Sequence, residues 1–294
     1  MEFIQALKAY PALWLGTAAF VGLCVGSFLN VVIHRLPRMM EAQWRDECAA
    51  LAGSPDPDAT LVPPPPPYNL LRPGSRCPSC SAPIRAWQNI PVASWVWLRG
   101  RCAACRAPIA ARYPAVELAA GAAAVLMAWR FGATPSAMMA MVFAWALLAL
   151  TFIDLDTQLL PDDITLPLLW LGLIVNAFGA FTDLRSAVLG AAGGYLLLWS
   201  VYWGFRLLAK KEGMGYGDFK LLAALGAWTG WQVLPFVVLV SAGTGAIIGG
   251  LLLWRSKSGA DTRIPFGPYL ALGGLAGLLF GRQAVVLWLG RFPG

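Results

Sequence analysis

Eight stretches of this chain are apolar over close to the length of a bilayer crossing, and that spacing decides most of what it can fold into. They run near Pro11–Ile33, Pro114–Trp129, Pro135–Ile153, Ile164–Phe181, Ala187–Leu208, Phe219–Trp228, Val233–Trp254 and Tyr269–Leu289. About 20 apolar residues in a helix span ~30 Å of hydrocarbon, where helices and closed barrels alone satisfy every backbone N–H and C=O without water. With 58% of its 294 residues hydrophobic and 13% charged, the chain is far more apolar than soluble domains, which average about 45–50% and about 25%. The expectation is an all-α polytopic membrane protein of about eight transmembrane helices. The block from Phe219 is its weakest member, being short and holding Gly226.

The charges fix an expected orientation. The formal net charge is +7, and ten of the 22 Lys and Arg residues fall between His34 and Arg112. They are not interleaved with aromatics as in a nucleic-acid groove, so no nucleic-acid partner is expected. By the positive-inside tendency this segment is cytoplasmic and the N-terminus outside. Lys210, Lys211, Arg255, Lys257 and Arg263 fall on the inner side, while the outer turns hold little beyond Arg130 and Arg185. Glu2 and Lys8, rather than a basic cluster, precede the first block, which reads as a retained anchor. The expected organisation is a first span (1–33), a cytoplasmic insert (34–113) and a membrane bundle (114–294). Within the insert, Pro63–Pro67 reads as an extended spacer and Glu41–Leu51 as a short helix. Paired glycines inside the blocks, such as Gly193–Gly194 and Gly273–Gly274, suit close helix packing. No long internal repeat stands out.

Four of the six cysteines form two pairs, Cys77-Pro-Ser-Cys80 and Cys102-Ala-Ala-Cys105. Two such knuckles supply four soft sulfurs, which suit a tetrahedral Zn²⁺ with no open position, hence a structural zinc that staples a small soluble segment. A reducing cytoplasm disfavours two disulfides. Sulfur spacing alone still leaves a single iron or a redox dithiol open beside zinc. His34, the only histidine, reads as an interfacial residue rather than a ligand.

Acidic residues are few, 15 in all, and several stand where apolar blocks end: Asp154 and Asp156, then Asp162 and Asp163, and Asp218 in Gly215-Tyr-Gly-Asp. A carboxylate near hydrocarbon costs roughly 2.5–3.5 kcal/mol on insertion scales, which makes function the default reading. Two carboxylates brought together there cannot both carry charge easily, so they share a proton. Such a pair activates water with one member and protonates a peptide carbonyl with the other. Spacing alone does not select the pair, and interfacial caps are the plain alternative for Asp156, Asp162 and Asp163. Glu117 either orients a substrate amine or the insert, or pairs with Arg112 or Lys220. Lys220 either snorkels to the interface or lowers the potential around the carboxylates.

These features, taken with Gly26-Ser-Phe-Leu-Asn-Val-Val-Ile-His-Arg-Leu-Pro37, Arg112-Tyr-Pro-Ala-Val-Glu117, the segment Phe152–Leu169, Gly215-Tyr-Gly-Asp-Phe-Lys-Leu221 and Ile264-Pro-Phe-Gly-Pro-Tyr269, resemble the bacterial type IV prepilin peptidase/N-methyltransferases, members of the Gly-x-Gly-Asp class of membrane aspartyl proteases. The resemblance covers nearly the whole chain and departs from the family chiefly in the proline-rich stretch Met39–Tyr68. It implies Asp154 and Asp218 as the catalytic pair, and Cys77, Cys80, Cys102 and Cys105 as metal ligands. It also implies leader cleavage from type IV prepilins and pseudopilins in the bacterial inner membrane, followed by methylation of the new N-terminus from S-adenosylmethionine, whose binding residues it leaves unassigned. A transporter, which would need acids near the midplane, and a non-enzymatic scaffold are the competing classes.

Overall fold

The computed structural model describes residues 9–52, 68–210, 214–255 and 265–290. Pro63–Pro67, Lys211, Lys257 and Arg263 lie outside the described residues. The described chain is mostly helical: α1 (Pro11–Leu51), α2 (Ala93–Trp97), α3 (Arg112–Phe131), α4 (Pro135–Thr157), α5 (Asp162–Ala177), α6 (Leu184–Ala209), α7 (Tyr216–Thr229), α8 (Leu234–Arg255) and α9 (Gly267–Leu289), with 3-10 turns at Ala86–Asn89 and Trp231–Val233. Two isolated bridges are the only β pairing among the described residues.

Each apolar block is a helix, but among the described residues six are long and apolar enough to cross a membrane: Pro11–Leu51, Arg112–Phe131, Pro135–Thr157, Leu184–Leu208, Trp231–Leu251 and Gly267–Leu287. The expected count of eight is not confirmed among the described residues, because α5 has 16 residues and α7 has 14. At 1.5 Å per residue these helices are about 24 and 21 Å long. The helix α7 is apolar all round because it is a core element: from Asp218 to Thr229 every residue except Lys220 is buried. The expected separate helix at Glu41–Leu51 also merges into α1, which runs 41 residues through a buried Pro37. Proline removes one backbone bond there without ending the helix.

The chain forms two compact units, Met1–Leu126 and Met127–Gly294. In the first, α1 packs on the N-terminal half of α3 through small residues. A Cβ at Gly22 would stand 2.8 Å from the Ala120 oxygen, and one at Gly26 would stand 2.6 Å from the Glu117 Cα. Only glycine permits that approach, the small-xxx-small arrangement of membrane helix pairs. The Asn30 amide donates to the Tyr113 oxygen (3.1 Å). Buried Arg35 gathers the chain after α1 by donating to the Asn69 and Pro73 oxygens at 2.9 and 2.7 Å.

In the second unit α7 is held by α5, α6 and α9. Trp228, fully buried, stacks near Phe143 and Phe181 with centroids 4.7 and 5.6 Å away, and its indole N–H donates to the Leu168 oxygen (2.8 Å). Asn176 bonds in both directions. Its amide donates to the Ala227 and Trp228 oxygens, and its oxygen accepts from the Phe181 and Thr182 N–H groups. A buried amide satisfied at both ends ties the end of α5 to the end of α7.

Candidate functional site

In the second unit, Asp154 and Asp218 sit at helix ends rather than mid-helix. Asp154 is in the last turn of α4 and Asp218 in the first turn of α7. Both side chains are buried, at 5% and 7% exposure. Each carboxylate is held by the N-terminus of a helix. Asp154 Oδ2 accepts the Gly267 N–H, the first of α9, at 2.9 Å. Asp218, third residue of α7, reaches back to the N–H of the capping residue Gly215. Unpaired N–H groups and the positive end of the helix dipole make such termini natural seats for anions. Asp154 is also among the charges that act on Asp218, so the two carboxylates are electrostatic neighbours.

One leucine stands between the loops that carry them. Leu160 packs against Gly217, where a Cβ would come within 2.8 Å of the leucine Cβ, and against Gly267, where it would come within 3.1 Å of Leu160 Cδ2 and 2.6 Å of Asp154 Oδ2. Glycine at 217 and 267 therefore sets how closely these turns approach. The other acids are arranged differently. Asp156, Asp162 and Asp163 are exposed, and Asp162 forms an ion pair with Lys220, Nζ to Oδ2 2.6 Å. Lys220 is thus paired with an exposed carboxylate. Position in the sequence gave Gly267 no role; the Pro265-Phe-Gly-Pro-Tyr269 run marked the place but not the backbone donor within it.

In the first unit, Glu117 is 9% exposed and accepts the Val92 N–H at 2.7 Å, with a second bond to the Ser27 side chain. Val92 has φ +58°, an outlier for a β-branched residue, and the bond to Glu117 helps hold it there. His34 is exposed and accepts from the Arg38 guanidinium, 2.8 Å from its Nε2, apart from the cysteines.

The four paired cysteines converge. Their Sγ atoms all lie within 4.8 Å of one another, and Cys77 and Cys105 are 3.8 Å apart, close to the ~3.8 Å edge of a tetrahedron with 2.3 Å zinc–sulfur bonds. All six cysteines are free thiols, so the disulfide alternative does not hold. The cluster is built from a short repeat that inspection for long repeats does not reveal: Arg76-Cys-Pro-Ser-Cys-Ser-Ala-Pro-Ile84 and Arg101-Cys-Ala-Ala-Cys-Arg-Ala-Pro-Ile109. The two copies fold alike. Arg76 bridges to Pro83 and Arg101 to Pro108. The Cys77 N–H donates to the Ala82 oxygen and the Cys102 N–H to that of Ala107; Ser81 and Arg106 both take positive φ. Backbone N–H groups of Cys80 and Ser79 lower the Cys77 thiol to about 6, and those of Cys105 and Ala104 lower Cys102. Ala107 pulls Cys105 down, but the neighbouring thiols and burial together push it up to about 11. Sulfurs that oppose one another's ionisation in this way are ones a cation would settle.

Residues 20–131 match the family described as Bacterial Peptidase A24 N-terminal domain, and residues 141–250 match the Type IV leader peptidase family. Among similar proteins, the prepilin leader peptidase/N-methyltransferase of Stutzerimonas stutzeri is 51% identical over 289 residues, 98% of each chain. The protein of that name from Pseudomonas aeruginosa is 49% identical over 295 residues, covering 100% of this chain and 99% of its own. The one from Aeromonas hydrophila is 52% identical over 290 residues, 98% of each. No solved structure matches this chain.

Proposed function

Since the chain belongs to the type IV leader peptidase family, we propose that it is a bifunctional inner-membrane enzyme, cleaving the leader from type IV prepilins and pseudopilins and then methylating the exposed N-terminus. The observation that carries the peptidase half is the pair of buried, neighbouring carboxylates on two helix N-termini. Asp154 and Asp218 are its catalytic residues in this reading. They share one proton; the ionised member takes a proton from water as the water oxygen bonds to the scissile carbonyl carbon, and the protonated member donates to the carbonyl oxygen. Collapse of the tetrahedral intermediate then breaks the C–N bond, with a proton passing to the leaving amine. The helix N-termini hold the carboxylates in place through this exchange, and Gly215, where an added Cβ would meet only Asp218 Oδ2 and the Gly217 nitrogen near 4 Å, leaves room for an extended substrate backbone.

Orientation follows from charge: the N-terminus outside, residues 34–113 cytoplasmic, and 114–294 the peptidase bundle. Cys77, Cys80, Cys102 and Cys105 hold a structural Zn²⁺, which their spacing fits and which would supply a fixed cross-link rather than chemistry. Methyl transfer draws on S-adenosylmethionine. Among the described residues no glycine turn between a strand and a helix marks its seat, so no residue is assigned to it. The test is mass spectrometry of a purified prepilin incubated with the protein in detergent, with and without S-adenosylmethionine, beside Asp218→Asn. A leader-sized loss and a donor-dependent methyl increment, with no cleavage by the variant, are expected. No loss of mass with wild type across several prepilins would overturn the assignment.

A further inference from the structure

At the end of the second unit away from the aspartates lies a cavity of about 340 Å³ that the chemistry above does not use. Arg282, at its rim, is fifteen residues along α9 from the Gly267 N–H that holds Asp154, about 22 Å at the helical rise. Arg130, from the last turn of α3, stands at the same cavity. Each guanidinium is fixed by a backbone oxygen. Arg130 Nε donates to Leu279, and an Arg282 terminal nitrogen donates to Phe181. One of five donors on each fork is spent in this way. Thr134 and Ser136 bring the N-terminus of the 23-residue α4 to the cavity, where the Thr134 hydroxyl donates to the Phe131 oxygen; Thr229, whose hydroxyl donates to the Leu225 oxygen, lines the same cavity. Among the described residues its lining includes no carboxylate. Two cations and a helix N-terminus without a counter-charge describe a receptor for an anion.

The surroundings say which anion. Trp129 and Phe178 project at this end with 71% and 86% exposure, and Trp231 is half exposed. Exposed aromatics at the ends of membrane helices mark the headgroup level. The cavity is thus at headgroup depth, with apolar walls from Phe131 and Leu278 where an acyl-linked glycerol would run. We propose that it binds the phosphate group of an anionic phospholipid in the leaflet at that end of the bundle. Arg130 and Arg282 grip the phosphate oxygens, and the lipid seals the ends of α3, α4 and α9 against one another.

The experiment is native mass spectrometry of the delipidated protein titrated with phosphatidylglycerol, phosphatidylcholine or inorganic phosphate. Wild type is compared with Arg130→Gln/Arg282→Gln and with Arg130→Lys/Arg282→Lys. A cation beside an anionic headgroup gives roughly a five-fold preference, so wild type should favour phosphatidylglycerol on the order of 20-fold. The Gln pair should bring that within about three-fold, and the Lys pair should keep most of it. Preference unchanged in the Gln pair, or absent from wild type, overturns the site. Displacement of the lipid by millimolar inorganic phosphate overturns the lipid as source and leaves a free-anion site. Hydrogen exchange on wild type, which needs no variant to fold, should show phosphatidylglycerol-dependent protection within 129–136 and 277–283. Protection confined to other segments also overturns the proposal. None of these readouts depends on peptidase activity.

Discussion

Replacing Gly267 with alanine tests whether the seat of Asp154 matters for catalysis without touching either carboxylate. The Cβ added at this position would stand 2.6 Å from Asp154 Oδ2 and 3.1 Å from Leu160 Cδ2, the first roughly 0.8 Å inside ordinary van der Waals contact. The backbone does not resist the substitution, since Gly267 lacks a positive φ and alanine is the better helix former. What gives way is the aspartate, whose short side chain swings off the helix N-terminus and lengthens its 2.9 Å bond to the Gly267 N–H. A hydrogen bond to a charged group is worth about 1.5–3 kcal/mol, and a displacement near 1 Å at a reacting group costs about 100-fold. The expected result is a fall of about 10- to 100-fold in the single-turnover rate of leader cleavage, with the melting temperature within a few degrees of wild type. Gly243, whose added Cβ meets nothing within 4 Å, supplies the control, and Gly243→Ala should cleave normally. Cleavage by Gly267→Ala within two-fold of wild type would refute the view that the Asp154 seat seen here is the reactive one.

Asp154→Asn and Asp218→Asn should each abolish leader cleavage while leaving membrane insertion and helicity intact, read by gel shift of prepilin and by circular dichroism; normal processing by either variant removes that residue from the pair. Cys77→Ser or Cys102→Ser should lower bound zinc from one per chain toward none by elemental analysis, and should impair methylation or stability more than peptide cleavage; a retained full equivalent of zinc would speak against the four-sulfur site. Asn176→Leu deprives the buried Phe181 and Thr182 N–H groups of their acceptor. At about 1–3 kcal/mol for each unsatisfied group, the midpoint of denaturation should drop clearly; an unchanged midpoint would mean that water or another acceptor takes over.

Much of this protein was legible from its sequence because bilayer physics writes in long strokes. Apolar blocks gave the helices, Gly22 and Gly26 fit the expected use of glycine for close packing, and the cysteine spacing gave the sulfur cluster. Four things escaped for physical reasons. Hydropathy cannot distinguish a helix surrounded by lipid from one surrounded by protein, so α5 and α7 read as spans although α7 is a core helix wrapped by its neighbours. The Gly267 donor is a backbone atom, invisible in a list of side chains. The Lys220–Asp162 pair was hidden by 58 residues of sequence separation. The duplication at the cysteines was present in the letters, but at nine residues it was too short to read as a repeat until both copies were seen to share one set of backbone bonds.

That duplication bears on how the four-sulfur cluster comes together. Each copy offers a two-toothed bite of the same shape, and neither could encircle an ion alone; assembly is a dimerisation carried out within one chain, and an ion held by all four sulfurs would join its two halves. The intervening stretch works as a tether that raises the local concentration of one half near the other. Matching lesions in the two halves are therefore alike in backbone shape though not in charge: the copies differ at Pro78/Ala103, Ser79/Ala104 and Ser81/Arg106, and the last of these, the one difference in charge, gives the clasp its polarity.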